Sequence, residues 1–230
     1  MRSYWFSAAS FLLAVPCLAL SQGQPQHAPV VSVSPNCPEM ASKPGRFELP
    51  NILFVYNPSA SGATLHPKQS LMMHIASVSQ WTDASVQSVP MARQSAGYWS
   101  ATFKPPTPLR SGYFVFYFED GEHHRDQNHG AYWDVVSCQD GEPSPVAIAQ
   151  QSNTWLGGLM APGMQRPLDW SKAIAILRDD LAHYPHHVGD YIQLWRDELA
   201  QGDGSPASYE HVGREIDEYL AKHGNTMPWS

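Results

Sequence analysis

G-Y-F-V-F-Y-F-E-D-G-E-H-H-R-D-Q-N-H-G-A-Y-W-D-V-V-S-C, residues 112–138, carries the plainest structural message in the chain. Residues 113–118 are six consecutive aromatic or β-branched residues. Such a run suits a pleated strand, and its lack of alternation predicts a well-buried one. Asp120-Gly121 ends the run, Asp126, Asn128 and Gly130 supply turn chemistry, and residues 132–137 resume as a strand. Two antiparallel strands joined by a long loop rich in acid, histidine and asparagine are a β-sandwich signature. The loop is the natural place for ligand contact, because loops carry function on a rigid scaffold.

Working outward, further strands are expected at 30–34, at 47–56 with an interruption at Pro50, and at 71–78, 86–91 and 97–103. In the last, Trp99, Ala101 and Phe103 share one face and Tyr98, Ser100 and Thr102 the other, so the apolar set belongs to the core. The proline-rich stretch 104–108 stops that strand. The total is about seven strands, spaced as in an immunoglobulin-like antiparallel β-sandwich. The Cys…Trp…Cys pattern of antibody domains is absent. The sandwich spans 45–140 and takes in a first strand at 30–34.

Residues 141–168, dominated by Gly, Pro, Gln and Ser, read as a linker. Beyond it the apolar period becomes helical. Trp170, Ile174, Leu177, Leu181 and Tyr184 form one stripe behind Asp169 as N-cap; Tyr191, Leu194, Trp195 and Leu199 form a second. Ser205 caps a third helix, with Pro206 in its first turn and Tyr209, Val212, Ile216, Tyr219 and Leu220 along one face. The expected class is mainly β with an α-helical tail, about three short amphipathic helices over 169–224.

The chain has 230 residues, 43% of them hydrophobic, with 14 Lys and Arg against 21 Asp and Glu and a formal charge of -7. Without a basic run it has no counterion-release drive toward phosphates, which argues against a nucleic-acid partner. Residues 1–21 place Arg2 before an apolar run, with small residues at Ala19 and Ser21, as in a signal peptide cleaved after Ser21. The strongly apolar part is shorter than the roughly 20 residues a spanning helix needs. A secreted or periplasmic protein without a stable membrane anchor is expected, with 22–44 as an exposed lead-in. Cleavage removes Cys17 and leaves Cys37 and Cys138, two cysteines that invite one disulfide in an oxidising compartment. Unpaired thiols or a metal pair are the alternatives.

In the central loop, Asp120, Asp126 and Asn128 offer oxygen ligands of the kind Ca²⁺ takes, though not at EF-hand spacing. His123, His124, His129 and Asp126 offer a zinc set, but adjacent histidines in an extended segment point to opposite faces. The bland alternative is a solvated hairpin whose Asp and Asn side chains cap their own backbone. Trp81, Trp99, Tyr132 and Trp133, beside Asp126 and Asn128, compose a stacking face with hydrogen-bonding groups suited to sugar. Against this, one member of each adjacent aromatic pair belongs to the core. His183, His186, His187, His211 and His223 sit at helix ends or on polar faces and read as surface residues. G-x-S-x-G, H-E-x-x-H and C-x-x-C are all absent, so a non-catalytic protein is expected.

Phe118, Asp120, Gly121, Asp126, Asn128, Gly130 and Tyr132 compose F-x-D-G followed by D-x-N-x-G-x-Y. This resembles a segment of bacterial starch-binding and related immunoglobulin-like sandwiches, with Gln127 where their turn carries Asn. G-E-P-S-P-V at 141–146 and the helices beyond Trp170 are similar to tetratricopeptide-like regions upstream of thioredoxin-like domains in secreted bacterial proteins. The resemblance implies a secreted binding or scaffold protein that contacts glycan through the sandwich loops and a protein partner through the helical tail. The alternative it implies is the accessory N-terminal region of a thioredoxin-like thiol-disulfide oxidoreductase system, lacking the C-x-x-C domain.

Overall fold

The computed structural model describes residues 29–43, 46–78, 84–107, 109, 111–159 and 161–224. The expected signal peptide at 1–21 and Trp81 lie outside the described residues. One antiparallel sheet runs in the order β1 (Val31–Ser34), β4 (Ile52–Tyr56), β8 (Trp99–Phe103), β7 (Ala92–Arg93). A second runs β10 (Arg125–Asp126), β9 (Tyr113–Asp120), β5 (Leu71–Ser77), β6 (Ser85–Pro90), with β11 (Trp133–Val136) also paired to β9. Two small hairpins join β2 (Ala41–Lys43) to β3 (Arg46–Glu48) and β12 (Cys138–Gln139) to β13 (Glu142–Pro143). The segment 47–56 divides at Pro50, β3 pairing with β2 and β4 with β1 and β8, because proline cannot donate to a continuous ladder.

The inner faces of the two large sheets share one apolar cluster. Phe54 of β4 meets Phe116 of β9 edge to face at 4.8 Å, and Phe103 of β8 meets Phe114 of β9 at 5.5 Å. Trp99, Ala101 and Phe103 all point inward as their alternation requires, and Trp99 is only 3% exposed. Burial of each such ring contributes about 1.5–3 kcal/mol. Cys37 and Cys138, 101 positions apart, form a disulfide that ties the start of the first sheet's approach to the end of the second.

The unbroken aromatic run of β9 has a structural cause. Phe114, Phe116 and Phe118 face the inter-sheet core, while Tyr113, Val115 and Tyr117 face a second cluster with Tyr132, Ala147, Leu159, Ala161 and Met164. The strand is covered on both sides, so neither parity of position carries polar residues. The outer cover comes from the stretch expected to be a linker. Residues 145–153 form α1 (Pro145–Asn153), followed by a π-helical turn at Thr154–Gly158. Helix α1 is short and buries Gln150 and Ser152 beside Ala147 and Ile148. It therefore lacks the apolar stripe that betrays a helix in sequence.

Three more helices follow: α2 (Trp170–His183), α3 (Val188–Gln201) and α4 (Pro206–His223). Asp169 caps α2 through its Oδ1, which accepts from the Lys172 N–H at 2.9 Å, and Ser205 caps α4 by accepting from Ser208. Ile148 of α1 packs with Ile174, Leu177, Leu181 and Leu194, and Trp195, Val212 and Tyr219 form a further cluster. The described residues thus hold four α-helices, one more than expected, on antiparallel sheets. No helix among them is long and apolar enough to cross a membrane.

Candidate functional site

The central loop is built almost entirely by its own side chains. Asp120 ends β9, and its Oδ1 accepts from the N–H groups of Glu122 at 2.9 Å and His124 at 3.0 Å, an aspartate closing its own turn. Glu119, beside it, lies 2.8 Å from both His123 Nδ1 and Arg125 Nε. The His123 hydrogen bond and Arg125 hold its carboxyl below the usual carboxylate range.

Asp126 points inward and is 1% exposed. Its Oδ2 accepts from the Tyr56 hydroxyl at 2.8 Å and the Thr64 N–H at 3.0 Å, and its Oδ1 from the Asn128 N–H at 3.3 Å. Burial, the leading cause, and the facing Asp126 carboxylate push the Tyr56 phenol upward. Asp126 is a structural tie between the loop and β4. Asn128 and His129 adopt positive φ, and Asn128 Nδ2 donates to the Tyr132 carbonyl at 3.1 Å. Asp126 stands opposite Phe118 and Trp133 opposite Phe116, so the six residues 127–132 bulge out against the single residue Tyr117. Of the three oxygen donors expected for Ca²⁺, Asp126 and Asn128 meet each other, whereas Asp120 serves a separate turn.

The aromatic residues take places in the core. Trp99 and Tyr132 are buried. Trp133 is half-buried against Phe116 and Phe118. Tyr132 lies edge to face on Tyr117, and its hydroxyl accepts from the Gln165 N–H at 3.2 Å. The D-x-N-x-G-x-Y bulge therefore seats the outer cover on β9, and these three rings present no open stacking face. Tyr98, the neighbour of Trp99, is the exposed member of its pair at 37%. A polar cleft of about 310 Å³ flanks the loop, lined by Thr64, His66, Lys68, Ser70, Asp120 and His124.

Arg166 holds the cover in place. Its guanidinium is 1% exposed. It donates to the Ala131 carbonyl at 2.8 Å, the Tyr113 hydroxyl at 2.8 Å and the Thr154 hydroxyl at 2.5 Å, and it pairs with Asp134. Trp155 stacks over it, with the ring centroid 4.5 Å from Cζ. One cation thereby satisfies groups from β9, β11, the bulge and the π-turn, the arrangement a buried charge requires. The only outward signal was a single charged residue in an otherwise uncharged stretch.

The helical tail carries two open features. A groove of about 330 Å³ runs along α2, α3 and α4, lined by Leu181, Ala182, Tyr191, Leu194, Trp195 and Tyr219 and rimmed by Arg178, Glu215, Glu218 and Lys222. The indole N–H of Trp195 has no acceptor among the described residues. The second feature corrects one of the surface assignments. His183, His186 and His211 are exposed, but His187 is 6% exposed and its Nδ1 lies 2.8 Å from Asp180 Oδ2. Asp190 hydrogen-bonds Asp180; burial, reinforced by that neighbour, pushes the Asp190 carboxyl up to about 8. It therefore keeps its proton at neutral pH.

Compared with protein-family models, with curated proteins and with solved structures, the chain matches none of them. The arrangement has to be read on its own chemistry.

Proposed function

We propose that this chain is a secreted, non-catalytic binding protein whose helical tail holds a segment of a partner polypeptide in the groove between α2, α3 and α4. In this reading the two large sheets are an immunoglobulin-like sandwich that serves as the base, and the helices are a tetratricopeptide-like platform. The groove itself carries the proposal. Its floor of Leu181, Leu194, Trp195 and Tyr219 is apolar and aromatic, and its rim bears charges of both signs. An apolar centre with a polar rim is the anatomy of a protein-binding surface. The disulfide suits an oxidising compartment.

The occupant is an extended or helical peptide segment bearing an aliphatic or aromatic anchor, because the cavity is too small for a folded domain and too apolar at its floor for a free sugar. A photo-crosslinking residue placed at Ala182, exposed on the groove, is expected to capture a polypeptide in the secreting cell. The same residue at Tyr98, exposed on the first sheet, is expected not to. The captured protein, once purified, should bind at least about tenfold more weakly to Ala182→Arg, with the melting temperature unchanged. Equal capture at both positions, or an affinity indifferent to Ala182→Arg, overturns the proposal. Capture of a C-x-x-C protein at Ala182 would select the redox-accessory version of the same contact.

A further inference from the structure

The β12–β13 hairpin and the turn between α2 and α3 meet at a cleft of about 430 Å³, whose wall includes Glu142, His186 and His187. One ligand atom from each of these three residues lies within 4.8 Å of the other two. His186 Nε2 is 2.8 Å, and His187 Nε2 is 3.9 Å, from the same oxygen, Glu142 Oε2. Ligand atoms around a tetrahedral zinc, each about 2.0–2.1 Å from the metal, stand roughly 3.3 Å apart. The two separations bracket that edge. The Glu142 and His186 side chains are 41% and 63% exposed and free to rotate into it, while His187 is fixed.

Adjacent histidines rarely reach one ion from an extended chain. Here the backbone turns at His187 into α3, and both rings come round to the same carboxylate, their centroids 4.7 Å apart and their planes at 72°. Behind His187, Nδ1 lies 2.8 Å from Asp180 Oδ2, and in the tautomer in which Nδ1–H donates to that carboxylate Nε2 keeps its lone pair toward the cleft. A carboxylate on the far nitrogen is the arrangement that orients and strengthens an imidazole ligand.

An independent observation points the same way. Asp180 and Asp190 are 4% and 2% exposed and hydrogen-bond each other, so the pair keeps one acidic charge buried behind His187. Buried acidic charge behind a histidine is costly by itself and is offset by a cation on the histidine's other side.

Two rival sets are weaker. Asp180, His187 and Asp190 also converge, but all three are buried and His187 Nδ1 is already engaged there. Glu198, His211 and Glu215 converge around Arg178, whose guanidinium pairs with both glutamates and occupies the place a cation would take.

We infer that Glu142, His186 and His187 form a binding site for a zinc-type divalent transition-metal ion, with Asp180 orienting His187 and the fourth position open to water or to a donor from a partner. Such an ion joins the hairpin after the disulfide to the helical tail.

The test is titration of the purified, metal-stripped chain, disulfide intact, with Zn²⁺ by calorimetry and with Co²⁺ by visible absorption. One equivalent of each is expected, Co²⁺ giving the intense d–d bands of a four-coordinate ion. Glu142→Gln and His186→Ala, both on exposed side chains, should each weaken uptake at least about tenfold without moving the melting temperature of the metal-free protein. Asp180→Asn should weaken it by about 10–100-fold while keeping one equivalent per chain. The inference is overturned if no metal is taken up, if uptake ignores both Glu142→Gln and His186→Ala, or if it is lost in Glu215→Gln instead.

Discussion

The sheets and the helical tail bury different chemistry. Between the sheets the core is aromatic, and its most deeply buried acid, Asp126, accepts three hydrogen bonds. Around the helices the buried groups include Asp180, Asp190, Asp197 and His187; Asp190 hydrogen-bonds Asp180, while oxygens of Asp197 and Glu198, like the Ser77 and Ser137 hydroxyls in the sheet region, have no hydrogen-bond partner among the described residues. Burial pushes the carboxyls of Asp190, Asp197 and Glu198 upward. A satisfied polar group buried in a core specifies a fold, whereas an unsatisfied one opposes folding and calls for a functional reason. The sheets bury mainly aromatic rings and the tail buries acids, with Arg166 as the joint between them.

The largest test of that division is the disulfide. Replacing both Cys37 and Cys138 by Ser should lower unfolding free energy by about 4–5 kcal/mol, the chain-entropy value for a loop of this length. Urea unfolding of the variant measures it, and a loss under about 1 kcal/mol would show that the sheets do not depend on the staple. Next comes the joint. Arg166→Ala takes the cation from half-buried Asp134 and a donor from the buried Tyr113 and Thr154 hydroxyls, and should cost about 2–4 kcal/mol. It should also raise hydrogen exchange in α1 more than in β5, whose pairing it does not touch; uniform exchange would mean that sheet and helices unfold as one. Asp126→Ala is expected to cost about 1–3 kcal/mol, the penalty for stranding the Tyr56 hydroxyl and the Thr64 N–H. Unchanged thermal stability in that variant would move Asp126 from the structural to the functional side.

The pH dependence is the most diagnostic test of the tail. The Asp190 carboxyl sits at about 8 in the folded chain, against about 3.9 when unfolded. Between those values the folded state binds a proton that the unfolded state releases, so this group makes stability fall as pH rises from about 4 to about 8. Its contribution is fully present below about 4. Asp190→Asn should flatten that part of the melting-temperature profile. A profile as steep as that of the parent would show that Asp190 ionises normally and that the tail does not bury an acid.

Much of the scaffold was legible before any coordinates. The strand at 113–120 was visible in its aromatic run, β8 in its alternation, and α2 and α4 in their caps and stripes. The Cys37–Cys138 pair was legible because cleavage at Ser21 would leave no other partner. Helix α1 was missed although Ser144-Pro145 carries the same start signal as Ser205-Pro206, because its short span buries polar Gln150 and Ser152 and shows no stripe. The loop residues were legible as a turn. Their role as the seat for 159–166 was not, because Tyr132 meets Tyr117 and Gln165 only after the cover has folded back.

What the sequence determined alone is whatever depends on neighbours along the chain: strand and helix periods, caps, turn residues, and the low cysteine count behind the disulfide. What only the tertiary structure decided is the environment of individual charged groups. Arg166 and His187 stand in segments that look solvated, and each is buried by partners from distant elements: Tyr113 and Asp134 for the first, Asp180 and the Glu142 hairpin for the second. Local propensity acts over a turn or two of chain, whereas desolvation and ion pairing are set by whatever packs nearby in space. The chemistry of this protein lies in that second category.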